Sequence, residues 1–170
     1  MIDTIVVALE GALDAAVALP ASVFETANRL RAAARRPPLF RVRTVGLTRL
    51  VRLSSGLRIE VARHGLARLE ARLIVLPGLS VSEPAALVQA LEREDVREVV
   101  RWLRRQHQRG AVIAGSCTAA FLLAEAGLLD GQPATTSWWL APLFRSRYPR
   151  VRLDAAAMVV SAQRVLTAGA

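Results

Sequence analysis

Residues Ala111 to Gly131, AVIAGSCTAAFLLAEAGLLDG, leave this chain little freedom in how it can fold. The apolar run Ala111-Val112-Ile113-Ala114 has the character of a buried strand. It runs without a spacer into Gly115-Ser116-Cys117-Thr118. Residues Ala119 to Ala126 then follow with strong helix propensity, and Gly127 is a natural stop. A strand that turns directly into a helix belongs to a layered α/β structure. It lifts the turn residue, Cys117, above the carboxyl edge of the sheet.

Cys117 is the only cysteine. The first turn of the following helix aims backbone N–H groups at it, and the helix dipole favours an anion there. That field favours the thiolate and makes the thiol a better nucleophile. The small neighbours Gly115, Ser116 and Ala119 suit a tight turn. A lone cysteine can also serve as a small buried hydrophobe, but the elbow favours an exposed, reactive position. One cysteine cannot form a disulfide within the chain, which fits a reducing compartment.

The rest of the chain alternates strands and helices. Ile5 to Leu9 reads as the first strand. A helical stretch from about Ala15 to Arg35 follows, with Pro20 as a kink or restart and Val23, Ala27 and Leu30 on its apolar stripe. Phe40 to Val45 alternates as a half-exposed strand. Val51 to Leu53 and Leu57 to Val61 form a hairpin around Ser54-Ser55-Gly56. Leu73 to Leu76, bounded by Pro77-Gly78, has the continuous apolar look of a central parallel strand. Glu83 to Arg93 and Asp95 to Gln108 read as helices. Another helix, holding Leu143 and Phe144, follows the Trp138-Trp139 pair. Val151 to Leu153 is a short strand, and Met158 to Val160 with Arg164 to Thr167 a closing hairpin. The expected architecture is a single α/β domain with a mainly parallel sheet. Its ligand crevice lies beyond the carboxyl ends of the strands, where the turns Pro77-Gly78-Leu79 and Ser116-Cys117-Thr118 face each other.

The chain is 170 residues long, 53% hydrophobic, and carries a formal charge of +9 with arginine as its only strong base. The arginines are scattered, which argues for a compositional habit over a nucleic-acid-binding face. Met1 leads straight into a strand without a basic leader, and no apolar run is long enough to span a bilayer, so a cytoplasmic location is expected. Two separated histidines and one cysteine make no metal-ligand cluster, and no cofactor is expected. His107 closes a helix at the amino end of the elbow strand, where it should bond the last carbonyls. It is then about 15 Å from Cys117 at 3.3 Å per residue. His64 reads as a solvated turn residue.

With its LPGL strand end, the AGSCTAAFLLAEAGLLDG elbow and the TTSWW that follows, the chain resembles the ThiJ/PfpI superfamily, related to class I glutamine amidotransferases. More narrowly it resembles the amino-terminal domain of AraC-type transcriptional regulators, through GLLDGQPATTSWWLAPLFRSRYPRVRLD and the ending RVLTAGA. The resemblance implies a flavodoxin-like three-layer sandwich over residues 1–170, with a nucleophile-elbow Cys117. It also implies an anion pocket lined by backbone N–H groups near Gly78, Leu79 and Thr118. In the resembling regulators a further helix and a helix-turn-helix domain follow, so DNA contact is expected only through a domain outside this sequence, and the sheet strip left bare is expected to be covered in a dimer.

Enzymes of the superfamily place a histidine after the two threonines, where this chain has Ser137, and an acid four residues before the first helix's proline, where it has Ala16. Asp14 is close to Ala16 in sequence but on another face of the helix. Nucleophilic catalysis needs a group to take and return the proton, and a serine hydroxyl does not do so at neutral pH. The leading expectation is therefore a ligand-sensing regulatory domain that is non-catalytic or catalytically impaired, holding a small molecule near Gly78, Leu79, Cys117, Thr118, Ser137 and Trp138. The alternatives are a small cysteine-dependent hydratase, amidase or glyoxalase-like lyase with Cys117 as nucleophile, and an oligomerisation domain with a vestigial pocket. One tryptophan of the pair is expected in the core and the other over the pocket.

Overall fold

A computed structural model describes residues 1–63, 66 and 69–169; His64 lies outside the described residues. The frame is a seven-stranded sheet. Strand β1 (Ile2–Val7) stands near its middle, beside β2 (Phe40–Gly46) and β6 (Leu73–Leu76). Beyond β2 lies the short β5 (Ala62–Arg63). Beyond β6 lie β7 (Val112–Ser116), β11 (Val165–Ala168) and β10 (Val159–Ala162), giving the order β10-β11-β7-β6-β1-β2-β5. All pairings are parallel except β10 with β11, the closing hairpin at one edge. Outside this sheet, β3 (Leu50–Arg52) and β4 (Arg58–Glu60) form the expected antiparallel hairpin. The two-residue strands β8 (Pro133–Ala134) and β9 (Arg152–Leu153) pair with each other.

The period-two pattern of β1 sorts side chains between two cores. Ile5 and Val7 point into the larger one with Ile74, Leu76 and Ile113, under the helices α2 (Pro84–Glu92), α3 (Glu94–Gln108), α4 (Ala119–Glu125) and α5 (Ala141–Arg147). Val6 points into the smaller one with Val17 of α1 (Asp14–Ala33) and with Val51, Leu53 and Val61 of the hairpin region. Helices thus flank the sheet on both faces, which is the doubly wound arrangement that the β-α alternation implies. Helix α3 earns its place by pattern: Val96, Val99, Trp102 and Leu103 are buried at helical spacing, while Arg97, Arg101, Arg104 and Arg105 face water.

Helix α1 departs from the sequence expectation in two ways. It runs through Pro20 without a break. The hydrogen bond that Pro20 cannot donate is offset by docking on the sheet: Phe24 packs on Phe40 at 4.8 Å between ring centroids, and Asn28 fastens the entry to β2. The Asn28 Oδ1 accepts from the N–H groups of Leu39 and Phe40, and its Nδ2 donates to the Phe40 carbonyl at 2.8 Å. The second departure concerns the stripe Val23, Ala27, Leu30. The buried side runs instead through Val17 and Phe24 to Asn28, and Val23 and Leu30 are 60% and 68% exposed.

The amino end of α1 locks the β3–β4 hairpin. The Asp14 carboxylate accepts from the Ser54 and Ser55 hydroxyls at 2.7 and 2.6 Å and from the Ser55 N–H at 3.1 Å. These bonds, that from the Ser55 side chain first, hold its carboxyl below the ordinary value. A depressed folded-state value means that the contribution is present above the unfolded-chain value of about 3.9 and is lost as pH falls through the folded one. Asp14→Asn is therefore expected to be less stable than wild type at pH 7, with the gap narrowing as denaturation is repeated down to about pH 3. A gap that does not change with pH would show that the charge is immaterial.

Candidate functional site

Strand β7 delivers the chain to the carboxyl edge, and two glycines set the turn that follows. A Cβ on Gly115 would lie 2.8 Å from Leu123 Cδ1 and 3.2 Å from Ala119 Cβ, so its absence lets α4 fold down against its own strand. A Cβ on Gly78 would lie 3.1 Å from the Ser116 carbonyl oxygen and from Thr118 Oγ1, and 3.2 Å from Cys117 Cβ. The Pro77-Gly78-Leu79 turn therefore seats directly against the elbow.

Cys117 itself has φ +58°, in the left-handed region that a non-glycine residue enters at a cost. Its surroundings hold it there. Its N–H donates to the Ala168 carbonyl at 2.8 Å, and its carbonyl accepts from Thr136 Oγ1 at 3.0 Å and from the Ala120 N–H at 3.3 Å. Thr118 Oγ1 donates to the Leu79 carbonyl at 2.9 Å, tying the two turns together. The threonine pair is fastened in its turn: the Thr135 N–H donates to Thr167 Oγ1, and Thr135 Oγ1 to the Ala157 carbonyl, both at 2.8 Å. Ser137 follows with 1% exposure, and its Oγ lies 2.8 Å from Cys117 Sγ.

The residues singled out by sequence thus meet, but in different capacities. Cys117, half-buried, and Ser137 touch through their side chains. Gly78 packs on Cys117 through its missing Cβ. Leu79 and Thr118 are 2% and 1% exposed, and the Thr118 hydroxyl is already committed, so neither side chain is available to a ligand. What the two turns can offer is backbone: among the described residues, the N–H groups of Gly78, Leu79 and Thr118 have no hydrogen-bond partner. The Cys117 N–H is spent on Ala168. Trp138 is 71% exposed at the start of a 3-10 turn (Trp138–Leu140), while Trp139 is partly buried against the larger core.

Two of the described groups that could move a proton, Asp14 and His107, are directed elsewhere. Asp14 is turned toward Ser54 and Ser55. His107 bonds through Nε2 to the Gln163 carbonyl at 2.8 Å, in the β10–β11 turn beside the amino end of β7. It thus bonds a neighbouring hairpin instead of the last carbonyls of its own helix, and it sits at the edge of the sheet opposite Cys117. Among the described residues, no group of three or more His, Cys, Asp or Glu side chains could hold a metal ion.

Sequence reading missed a second feature of the carboxyl edge. Two cavities of about 280 and 320 Å³ share Glu10 and Arg93, and neither is lined by Cys117. Arg93, at the α2–α3 junction, grips Asp95 with two of its nitrogens and donates to the Glu10 carbonyl at 3.0 Å. No local motif marks this cluster, because Glu10 and Arg93 come from segments far apart in the chain.

The described helices include none long and apolar enough to cross a membrane. A 71-residue stretch is 35% identical to the HTH-type transcriptional regulator CdhR of Pseudomonas aeruginosa, a match that spans 42% of this chain and only 21% of that regulator's length. Solved structures share the fold over nearly the whole chain. A transcriptional regulator protein from Vibrio parahaemolyticus superposes with a TM-score of 0.79 at 20% identity, over 98% of this chain and 83% of that one. An AraC family transcriptional regulator from Pseudomonas putida superposes with a TM-score of 0.78 at 23% identity, over 99% of this chain and 83% of that one. The model of the DJ-1/PfpI family matches residues 4–170, and with the cysteine elbow and the parallel sheet in place, the chain belongs to that family.

Proposed function

We propose that this chain is the ligand-sensing regulatory domain of an AraC-type transcriptional regulator and that it does not catalyse a reaction. One observation carries the reading: the hydrogen-bond partner of the elbow thiol is the Ser137 hydroxyl, which cannot accept and return a proton at neutral pH. Ala16 leaves the acid position empty of charge. A nucleophile position kept in strained geometry without its proton shuttle is suited to recognition. The free N–H groups of Gly78, Leu79 and Thr118 favour an anionic group, such as a carboxylate, beside Cys117 and Ser137, with the exposed indole of Trp138 as an apolar wall. The similarity to transcriptional regulators supports the regulatory role. In this reading the protein works in the cytoplasm as a dimer, and DNA is contacted by a separate domain.

A thermal-shift screen of small carboxylates tests the binding half. A ligand at a hundred times its Kd stabilises the folded state by about 2.7 kcal/mol, worth roughly 5–10 °C in a domain of this size. At least one carboxylate is expected to raise Tm by several degrees in the wild type and by much less in Trp138→Ala. A flat screen would count against a sensor.

A further inference from the structure

We infer that the amino edge of the central sheet is a docking surface for the phosphate backbone of duplex DNA. The arginines are scattered along the sequence, but the parallel topology gathers them in space. Strands β11, β7, β6, β1 and β2 lie side by side and start at the same edge. Arg164 stands immediately before β11, Arg109 shortly before β7 and Arg72 immediately before β6. Arg35 and Arg36 precede β2, and Arg41 lies one residue inside it. All six are exposed. Among the described residues, the acids set between these strand starts are Asp3, paired with Arg41 at 3.2 Å, and Glu70, paired with Arg109 at 3.1 Å. That leaves Arg35, Arg36, Arg72 and Arg164 without an acidic partner among the described residues. Composition alone does not produce this bias. At the opposite edge Glu10 and Asp14 follow β1, Glu83 follows β6, and Arg93 is neutralised by Asp95. Helix ends do not produce it either. Cations suit helix carboxyl ends, but Arg164 sits in the β10–β11 turn, Arg72 follows irregular chain and Arg41 lies within β2.

The shape of the edge suits a run of phosphates. Strands about 4.8 Å apart spread the row over roughly 19 Å. Duplex DNA presents on the order of ten phosphates over that length. Arg72 stands at the middle of the row and lines two depressions. One, of about 220 Å³, is shared with Asp3, Gln106 and Arg109, and the other, of about 470 Å³, with Leu73, Gly110 and Val112. They leave room for phosphate and sugar beside its guanidinium, which can hold a phosphate through two parallel N–H bonds. A bilayer is the less suited polyanion. Among the described residues, the large hydrophobic side chain most exposed at this edge is Met1, at 67%, and one such group is too little to anchor in acyl chains. Phosphate contacts fix a protein on the duplex without reading its sequence, so base recognition stays with the separate domain. The choice of duplex DNA as the polyanion rests on the regulatory reading above; the row of charge does not.

Fluorescence anisotropy of the chain with a labelled duplex of arbitrary sequence, about 20 base pairs long, tests the inference. Four phosphate contacts give a log–log salt slope of about −3.6, and so a loss of roughly a hundredfold in affinity between about 50 and 200 mM salt. The triple variant Arg36→Gln, Arg72→Gln, Arg164→Gln is expected to flatten the slope to about −1 and to weaken binding at least about thirtyfold at the lower salt. A charge-matched triple, Arg58→Gln, Arg97→Gln, Arg145→Gln, removes exposed arginines from other parts of the surface. It is expected to keep the wild-type slope and to bind within about fivefold of wild type, since salt screens charges away from the contact. Far-ultraviolet circular dichroism checks that both triples stay folded. A wild-type chain that does not bind at about 100 μM in low salt would overturn the inference. So would equal losses in the two triples, or an unchanged slope in the first. Vesicles of phosphatidylserine and phosphatidylcholine are expected not to displace the duplex at equal phosphate. Displacement would make the edge a membrane contact and overturn the choice of partner. A failure here combined with a positive thermal-shift screen would remove the docking row and leave the ligand sensor standing; the reverse pair of results would do the opposite.

Discussion

Phe121→Ala is expected to destabilise the chain by about 3–5 kcal/mol, the range for emptying a fully buried aromatic site. Phe121 is 0% exposed on α4. Its ring meets Phe144 edge-on at 4.9 Å and Tyr148 at 5.8 Å between centroids. The surrounding frame cannot collapse easily into the space. Tyr148 is fixed by donating its hydroxyl to Glu125 Oε1 at 2.7 Å, and Arg147 donates to the same oxygen at 2.9 Å. Burial and the neighbouring Glu125 push the Tyr148 phenol well above its ordinary range, so it remains a hydrogen-bond donor at any working pH. The cavity should therefore persist, and cavity volume is what makes such substitutions costly. Urea denaturation should show a midpoint shift with an unchanged slope. A loss below about 1 kcal/mol would mean that α5 closes onto α4 and that the aromatic cluster is loosely held.

The second large effect is expected at Gly78. Gly78→Val places a branched side chain where even a Cβ would come within 3.1 Å of the Ser116 carbonyl, which is backbone and cannot swing aside. Either the LPGL turn lifts off or the Cys117 elbow is pushed from its φ of +58°. Both routes break the Thr118–Leu79 bond. Overpacking of this kind costs about 1–3 kcal/mol, and here it should also change the chemistry. The single thiol is expected to react with iodoacetamide at a rate differing from wild type by tenfold or more. The companion Gly11→Ala has open space for its Cβ, and although its φ of +76° is unfavourable, it should leave the thiol rate unchanged. A Gly78→Val chain with wild-type stability and thiol reactivity would show that the two turns are not mechanically coupled.

Much of this architecture could be read from residues because the signals were local. The strand-turn-helix around Cys117 and the apolar run Leu73 to Leu76 each declare themselves within one continuous stretch of sequence. The β3–β4 hairpin and the two helices before β7 do so as well. Helix α1 could not be read in the same way. Its inward and outward stripes are both apolar, so Val23 and Leu30 carry the same signal as core residues although they face outward. Around Cys117 the facing of the two turns was legible, but the bonds their side chains make were not. Thr118 was legible as a neighbour of the nucleophile, yet its hydroxyl closes a bond to Leu79 that no spacing rule announces. The contact between Cys117 Sγ and Ser137 Oγ depends on Thr135 and Thr136 being pinned to β11 and to the elbow, a long-range arrangement. The Glu10–Arg93 cavities were invisible for the same reason: three-dimensional packing alone brings those residues together.

The claim at the centre is that Cys117 occupies a recognition site and not a catalytic one, and calorimetric injection of methylglyoxal, a reactive 2-oxoaldehyde, into the chain and into Cys117→Ala tests it most directly. The heat flow is expected to return to baseline after each injection, with no sustained signal in either protein, because the side chain bonded to Cys117 among the described residues is the Ser137 hydroxyl, which does not shuttle a proton at neutral pH. A sustained heat flow that scales with chain concentration and vanishes in Cys117→Ala would contradict the account and establish a cysteine-dependent enzyme.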